Sequence, residues 1–349
     1  VSVPASVVGR AVGEAVMATP EHGPARDEVS EILESIGRPT EQSKPRGYPP
    51  PPDVRTLAQA RNHPSPIPDR APRRALQRLC APGSLAPHAR RRPLPRPPAF
   101  DHPPGVVIVL GYFRSGTTHL HNLLSCDERF VTPRWRHCVA PQGFWLSWTV
   151  LRALFIPFVP NTRPHDDVPF GPDWPGEDDF AACNWTLASS LPGRFVFPRR
   201  RAHWARYHTL EGLTPKELRN WRWAMAAFLW KLSRANPSRP ILLKSPSHLA
   251  RIDRLVELLG ADRVRFIHIG RDPEAVIRSN VAMHQRLEPM YGLQDPAPAE
   301  ETREYLIDEY HRSVERFAAQ SETGDARVAR VRFQDLVADP LGELQRAYR

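Results

Sequence analysis

The chain has 349 residues, with 48 Lys and Arg against 38 Asp and Glu, a formal net charge of +10 at pH 7. That length holds one large α/β domain with appendages or two smaller domains. The positive excess favours anionic ligands, and the absence of zinc-ligand spacing or an RNA-binding aromatic signature argues against a nucleic-acid partner.

Asp27 to Ile36 is expected to be helical, with Val29, Ile32, Leu33 and Ile36 on one face. From Pro39 to Pro104 prolines crowd the chain, including Pro49–Pro52 in succession, and a basic run stands at Arg90–Arg92. Such a segment holds no regular helix or central strand. Residues 1–104 therefore read as an N-terminal arm, helical and then proline-rich and partly irregular, ahead of a domain over 105–349. Cys80, Cys126, Cys138 and Cys183 form no CxxC pair, and the start shows no charged-then-apolar leader. A reducing, cytoplasmic setting is expected.

The chain is organised around Gly105–Leu124, GVVIVLGYFRSGTTHLHNLL. Val106–Leu110 is a short β-branched and aliphatic run, typical of a strand buried on both faces of a parallel sheet. Gly111 ends it, and a helix with Leu120, Leu123 and Leu124 on one face starts near Gly116. The first N–H groups of such a helix have no internal partner and, with the helix dipole, favour phosphate or sulfate. Arg114, Ser115, Thr117 and Thr118 can add donors. The Gly-x4-Gly spacing is that of a P-loop, but Thr117 stands where a nucleotide triphosphatase carries lysine. GYFRSGTTHLHNLL resembles the 5'-phosphosulfate loop of the sulfotransferases that use 3'-phosphoadenosine 5'-phosphosulfate (PAPS), in the branch with arginine before SGTT.

Gly143 to Pro160 is strongly apolar but carries Arg152 and is bracketed by Pro141 and Pro157. It makes a poor spanning helix and a better buried or membrane-surface one, where it can form a lid for a lipid-like acceptor. Glu177, Asp178 and Asp179 then form an acidic cluster in a loop ahead of a helix starting near Phe180. They read either as a helix cap or as a carboxylate placed to take a proton. The stretch resembles the Pro-x-Glu-Asp-Glu-Phe region of a bacterial and animal subgroup of the same family, with Asp179 as the third acid.

Thr214, Pro215 and Glu217 predict a capping box opening a long amphipathic helix with Leu218, Trp221, Met225, Phe228, Leu229 and Leu232 on its face. Ile241–Leu243 reads as a second buried strand with Lys244 at its carboxyl end, followed by one helix through Leu249, Ile252, Val256 and Leu259 to Gly260. Ligands of open α/β sheets bind at the carboxyl ends of strands, which places Lys244, Ser245 and His248 on the rim of the cradle. Cytosolic sulfotransferases are similar here, with a lysine and a histidine base, although the spacing in this chain is Lys-x-x-x-His.

RVRFIHIGRDPEAVIRSN predicts a third parallel strand over Val264–Ile269 and a helix capped by Asp272 with Pro273 at its first position. It resembles the family's 3'-phosphate motif at Arg271, Asp272, Pro273 and Ser279. Two phosphate sites fit a nucleotide charged at both ends, as PAPS is. A helix at Glu304–Ala319, a further strand and an Asp339–Pro340 helix start follow, and relatives continue beyond the position of Arg349.

The resemblance implies a P-loop-like three-layer α/β fold with a central parallel sheet flanked by helices. It also implies transfer of a sulfuryl group from PAPS to a hydroxyl or amine, with no metal. Arg114, Ser115, Gly116, Thr117 and Thr118 would hold the 5'-phosphosulfate, and Arg271 with Ser279 the 3'-phosphate. Arg114 and Lys244 would neutralise developing charge, and His248 or Glu177 would act as base, with His137 a third candidate. The acceptor is expected to be a small molecule, lipid or carbohydrate, with membrane-surface contact through 143–160. A P-loop nucleotide kinase or triphosphatase and a decayed nucleotide-binding relative are the alternative classes.

Overall fold

The computed structural model describes residues 105–143, 163, 166, 168, 170–321 and 327–348. The helix expected at Asp27–Ile36, the proline-rich arm and, apart from Gly143, the apolar stretch to Pro160 lie outside them.

Four strands, β1 (Val106–Leu110), β2 (Ile241–Lys244), β3 (Val264–Gly270) and β4 (Val328–Arg332), make one sheet in the order β2-β1-β3-β4. Every pairing is parallel. β1 and β2 are almost wholly buried, as strands covered by helices on both faces must be. The helices are α1 (Thr117–Leu124), α2 (Trp135–Val139), α3 (Asp178–Thr186), α4 (Arg201–Thr209), α5 (Pro215–Ala235), α6 (Ile252–Leu259), α7 (Pro273–Tyr291), α8 (Ala299–Gln320), α9 (Phe333–Ala338) and α10 (Pro340–Ala347). The result is the expected three-layer α/β fold. No helix among the described residues is long and apolar enough to cross a membrane.

Local chemistry accounts for most helix starts. Thr214 and Glu217 exchange backbone and side-chain bonds at the head of α5, with Pro215 in its first turn. Asp272 accepts from the Ala275 N–H at α7, and Asp339 from the Gly342 N–H at α10. The single helix expected after β2 is instead a 3-10 turn over Pro246–Ala250 and then α6, separated at Arg251. Arg251 leaves helical geometry because its guanidinium is drawn into the core, onto Asp179 and the carbonyls of Tyr207 and His208.

Strand order decides where the motifs meet. After β2 the chain crosses β1 to form β3, so β1 lies between them, and the carboxyl ends of β1 and β3 form the switch point where ligands of open α/β sheets bind. Leu110 is in register with His268, and Gly270 with Arg332. The turns after β1 and β3, and Phe333 after β4, therefore stand side by side.

Candidate active site at the carboxyl edge of the sheet

The turn from Gly111 to Gly116 has little freedom. A Cβ on Gly111 would stand 2.6 Å from Ser115 Oγ and 2.9 Å from Ile269 Cγ2, closer than carbon atoms tolerate. Gly116 has φ +99°, and a Cβ there would strike the Phe333 ring. Arg114, which is not a glycine, has φ +69°. Three successive carbonyls are taken up by protein donors. Tyr112 O accepts from the Ser115 N–H (3.1 Å) and hydroxyl (2.7 Å), Phe113 O from Asn280 Nδ2 (2.8 Å), and Arg114 O from Arg271 Nη1 (3.1 Å). No side chain caps α1. Its first N–H groups and the positive end of its dipole thus face the mouth of the turn.

The structure brings the two sequence motifs together. Besides the Arg271 bond to the Arg114 carbonyl, Arg114 Nε donates to Ser279 Oγ at 3.0 Å, across 165 positions of sequence. The Arg271 guanidinium lies 4.4 Å above the centre of the Phe333 ring. Arg114 also pairs with Asp166, which Arg163 holds at 2.9 and 2.6 Å. The Arg114 side chain therefore points toward the second motif, while its backbone shapes the first. The Ser115 hydroxyl is spent on the turn itself, Thr117 is buried, and Thr118 Oγ1 accepts from Lys244 Nζ at 3.3 Å.

The acidic cluster is not in a loop. Glu177 is the N-cap of α3 and Asp178 and Asp179 form its first turn, where carboxylates complement the dipole. Each acid takes its own partner from the end of β2 or the segment after it. Glu177 Oε1 accepts from Lys244 Nζ (2.5 Å), Asp178 Oδ2 meets His248 Nε2 (2.6 Å), and Asp179 Oδ1 accepts from Arg251 Nη1 (2.8 Å). Ser245 donates to Asp178, and Ser189 and Ser247 donate to Asp179. Burial would push the Asp179 carboxyl up, but Arg251 overrides it and holds it below the usual range. Burial pulls the Lys244 ammonium down, and Glu177 offsets part of that.

Exposure separates these groups. Asp178 and His248 side chains are 0% exposed, Asp179 is 1% and Lys244 2%, whereas Glu177 keeps 13%. His248 Nδ1 is buried with no partner among the described residues, so the histidine is sealed behind Asp178. His137 caps α2: its Nδ1 accepts from the Arg134 N–H, and its Nε2 lies 3.2 Å from Arg136 Nε. Burial, with Arg136 and Arg134 beside it, pulls its pKa down to about 3.

Several of these partners were invisible in the sequence. Lys244, His248 and Arg251 recur at near-helical spacing, a usable signal, but only tertiary contact tells which acid each meets. Asp166 carried no signal beyond being an acid in a basic chain. Among the described residues, no group of three or more His, Cys, Asp or Glu is arranged to hold a metal ion. Arg114, Arg271 and Lys244 thus stand around the turn, with Asp166 paired to Arg114 and Glu177 to Lys244.

Comparison with known proteins bears on the family and the fold. The chain is 31% identical over 244 residues to proteins from Mycobacterium bovis and Mycobacterium tuberculosis, both named omega-hydroxy-beta-dihydromenaquinone-9 sulfotransferase Stf3. The match takes in 69% of this chain and 61% of those relatives' length. The fold is shared with crystal structures of sulfotransferase STF9 from Mycobacterium avium and sulfotransferase STF1 from M. tuberculosis. STF9 is 18% identical, with a TM-score of 0.54 over 100% of this chain and 78% of its own. STF1 is 20% identical, with a TM-score of 0.51 over 71% of this chain and 67% of its own. The family model described as "Sulfotransferase family" matches residues 104–349, and on that match the chain belongs to the sulfotransferase family.

Proposed function

We propose that this protein transfers a sulfuryl group from PAPS to the hydroxyl of a lipid-like small molecule. The observation that carries the reading is the union of two anion motifs: Arg271 bonds the Arg114 carbonyl, and Arg114 bonds Ser279, from strands adjacent at the switch point. A nucleotide with phosphate at both ends fits that pairing, and Thr117 stands in place of the lysine that a triphosphatase needs.

When bound, PAPS supplies a sulfuryl group on a good phosphate leaving group. The free N–H groups of α1, with Thr118, bind the 5' end, and Arg271 and Ser279 take the 3'-phosphate, with Arg114 bridging the two. Lys244, held at Thr118, faces the negative charge released on the 5'-phosphate. Glu177 takes the proton from the acceptor hydroxyl, because it alone of the three acids keeps solvent access. His248 is a positioning residue in this reading: by gripping Asp178 it fixes the start of α3, and with it Glu177. Such transfer depends on positioning and charge neutralisation, as phosphoryl transfer does. Two relatives are named for a menaquinone-derived substrate, and the apolar stretch 143–160 suits an acceptor of that character. Cys126, Cys138 and Cys183 are free thiols, in keeping with a cytoplasmic site of action.

Calorimetric titration with adenosine 3',5'-bisphosphate beside ATP with magnesium tests the donor assignment. Micromolar binding of the bisphosphate and little of ATP is expected. Equal binding of both, or none by the folded chain, refutes it.

A further inference from the structure

Behind the anion turn lies a buried polar network whose side chains bond none of the groups assigned to chemistry. Glu309 of α8 is its centre. It accepts from the hydroxyls of Tyr112 (2.7 Å) and Tyr305 (2.5 Å) and from Arg194 Nη2. Arg194 belongs to a π-helical turn over Pro192–Val196, and its side chain is fully buried. Its guanidinium lies 3.6 Å above the centre of the Phe113 ring, and its Nη1 meets His284 Nε2 of α7 at 3.1 Å. His284 is braced in turn by Glu288, which pairs with Arg201. α7, α8 and the π-helical turn are thus locked onto Tyr112 and Phe113, the two residues that precede Arg114.

Arg114 needs that support. A non-glycine residue with positive φ is strained, by about 1–3 kcal/mol, and holds only where its surroundings over-determine it. Here Tyr112 is tied at its hydroxyl and Phe113 at both its ring and its carbonyl. Charged groups buried this deeply are costly unless paired, and their pairing confines the elements that carry them to one arrangement.

We infer that Glu309 is a positioning residue for the anion turn, holding Tyr112 and, through Arg194, Phe113, so that the head of α1 presents its N–H groups at the spacing a 5'-phosphate requires. The inference rests on the reading of this turn as the binder of the donor's 5' end.

The test compares two ligands on the wild-type chain, Tyr112→Phe and Glu309→Gln. Adenosine 3',5'-bisphosphate engages both motifs, whereas adenosine 3'-phosphate leaves the turn empty. Both variants are expected to bind the bisphosphate about tenfold more weakly, as for a lost bond to a charged group, with 3'-phosphate affinity unchanged. A merely structural role would lower the melting temperature without moving that ratio. Glu309→Gln leaves Arg194 buried without a counter-charge; if it fails to fold, Tyr112→Phe, which removes a single oxygen, carries the test. A ratio equal to wild type in Tyr112→Phe, or parallel losses for both ligands, overturns the positioning role alone. A wild-type chain that ignores the bisphosphate overturns the donor assignment, and this inference with it.

Discussion

Arg271→Ala probes the joint between the two motifs. The substitution removes the cation that the proposed function assigns to the 3'-phosphate, a charge-assisted contact of about 2 kcal/mol. It also removes the donor from the Arg114 carbonyl, 3.1 Å away, in a turn already strained at Arg114. Leaving that carbonyl without its partner costs about 1 kcal/mol more. Phe333 loses the guanidinium above its ring but remains seated against Gly116, so the turn keeps its floor. The two contributions predict a loss of about 3 kcal/mol, or over a hundredfold, for adenosine 3',5'-bisphosphate. Adenosine 5'-phosphate should lose only the second, about fivefold. Calorimetric titration of both ligands at one fixed ionic strength reads the difference directly, since salt screens such contacts. Arg271→Lys should fall between, because an ammonium keeps the charge but not the planar fork. Equal losses for the two nucleotides would mean that Arg271 acts only through the Arg114 carbonyl and would refute its role at the 3'-phosphate.

Glu177→Gln should lower sulfuryl transfer from PAPS to a hydroxylated quinone-type acceptor by about a hundredfold, with bisphosphate affinity preserved; an unchanged rate would place the base elsewhere. The same change removes the counter-charge that offsets burial at Lys244, so the alkaline limb of the pH–rate profile should move to lower pH. Asp179→Asn strips Arg251, fully buried, of its ion-pair partner and should cost about 3–5 kcal/mol in urea unfolding; a loss near zero would show that the three acid pairs do not hold α3 in place. Acid should destabilise the fold early. Burial holds His208, His268 and His284 at about 4, below the ordinary 6.5, so the unfolded chain binds more protons between those values and stability falls with pH through that window. Glu309, held at about 2 against the pull of burial by Arg194 and His208, works the opposite range: its contribution is full above the unfolded carboxyl value of 4.5 and is lost as pH falls toward 2. Urea midpoints that stay level from about pH 7 to pH 5 would contradict the histidine assignment.

The sequence by itself determined the parts whose causes are local. A five-residue β-branched and aliphatic run ending in glycine is typical of a buried strand feeding a turn, and Val106–Leu110 is one. Thr214 with Glu217, Asp272 with Pro273, and Asp339 with Pro340 start helices because a side-chain oxygen three residues away satisfies an N–H that nothing else can reach. Those signals were enough to find the class of the fold and the two turns to which the proposed function gives anion binding. Tertiary structure decided what those motifs do together. Only the strand order places β1 beside β3 and so sets Arg114 against Arg271 and Ser279. The fate of the acids was also beyond local reading. Glu177, Asp178 and Asp179 look alike in sequence, yet each is assigned by a partner some 70 positions away, and only the packing of α3 on the end of β2 leaves Glu177 open while sealing the other two. Glu309 carried no signal at all, since one carboxylate on an amphipathic helix reads as a solvated face until Tyr112, Tyr305 and Arg194 are folded around it. Strand runs and caps depend on neighbours within a turn or two, whereas the value of a buried charge depends on whichever distant groups the finished core sets beside it.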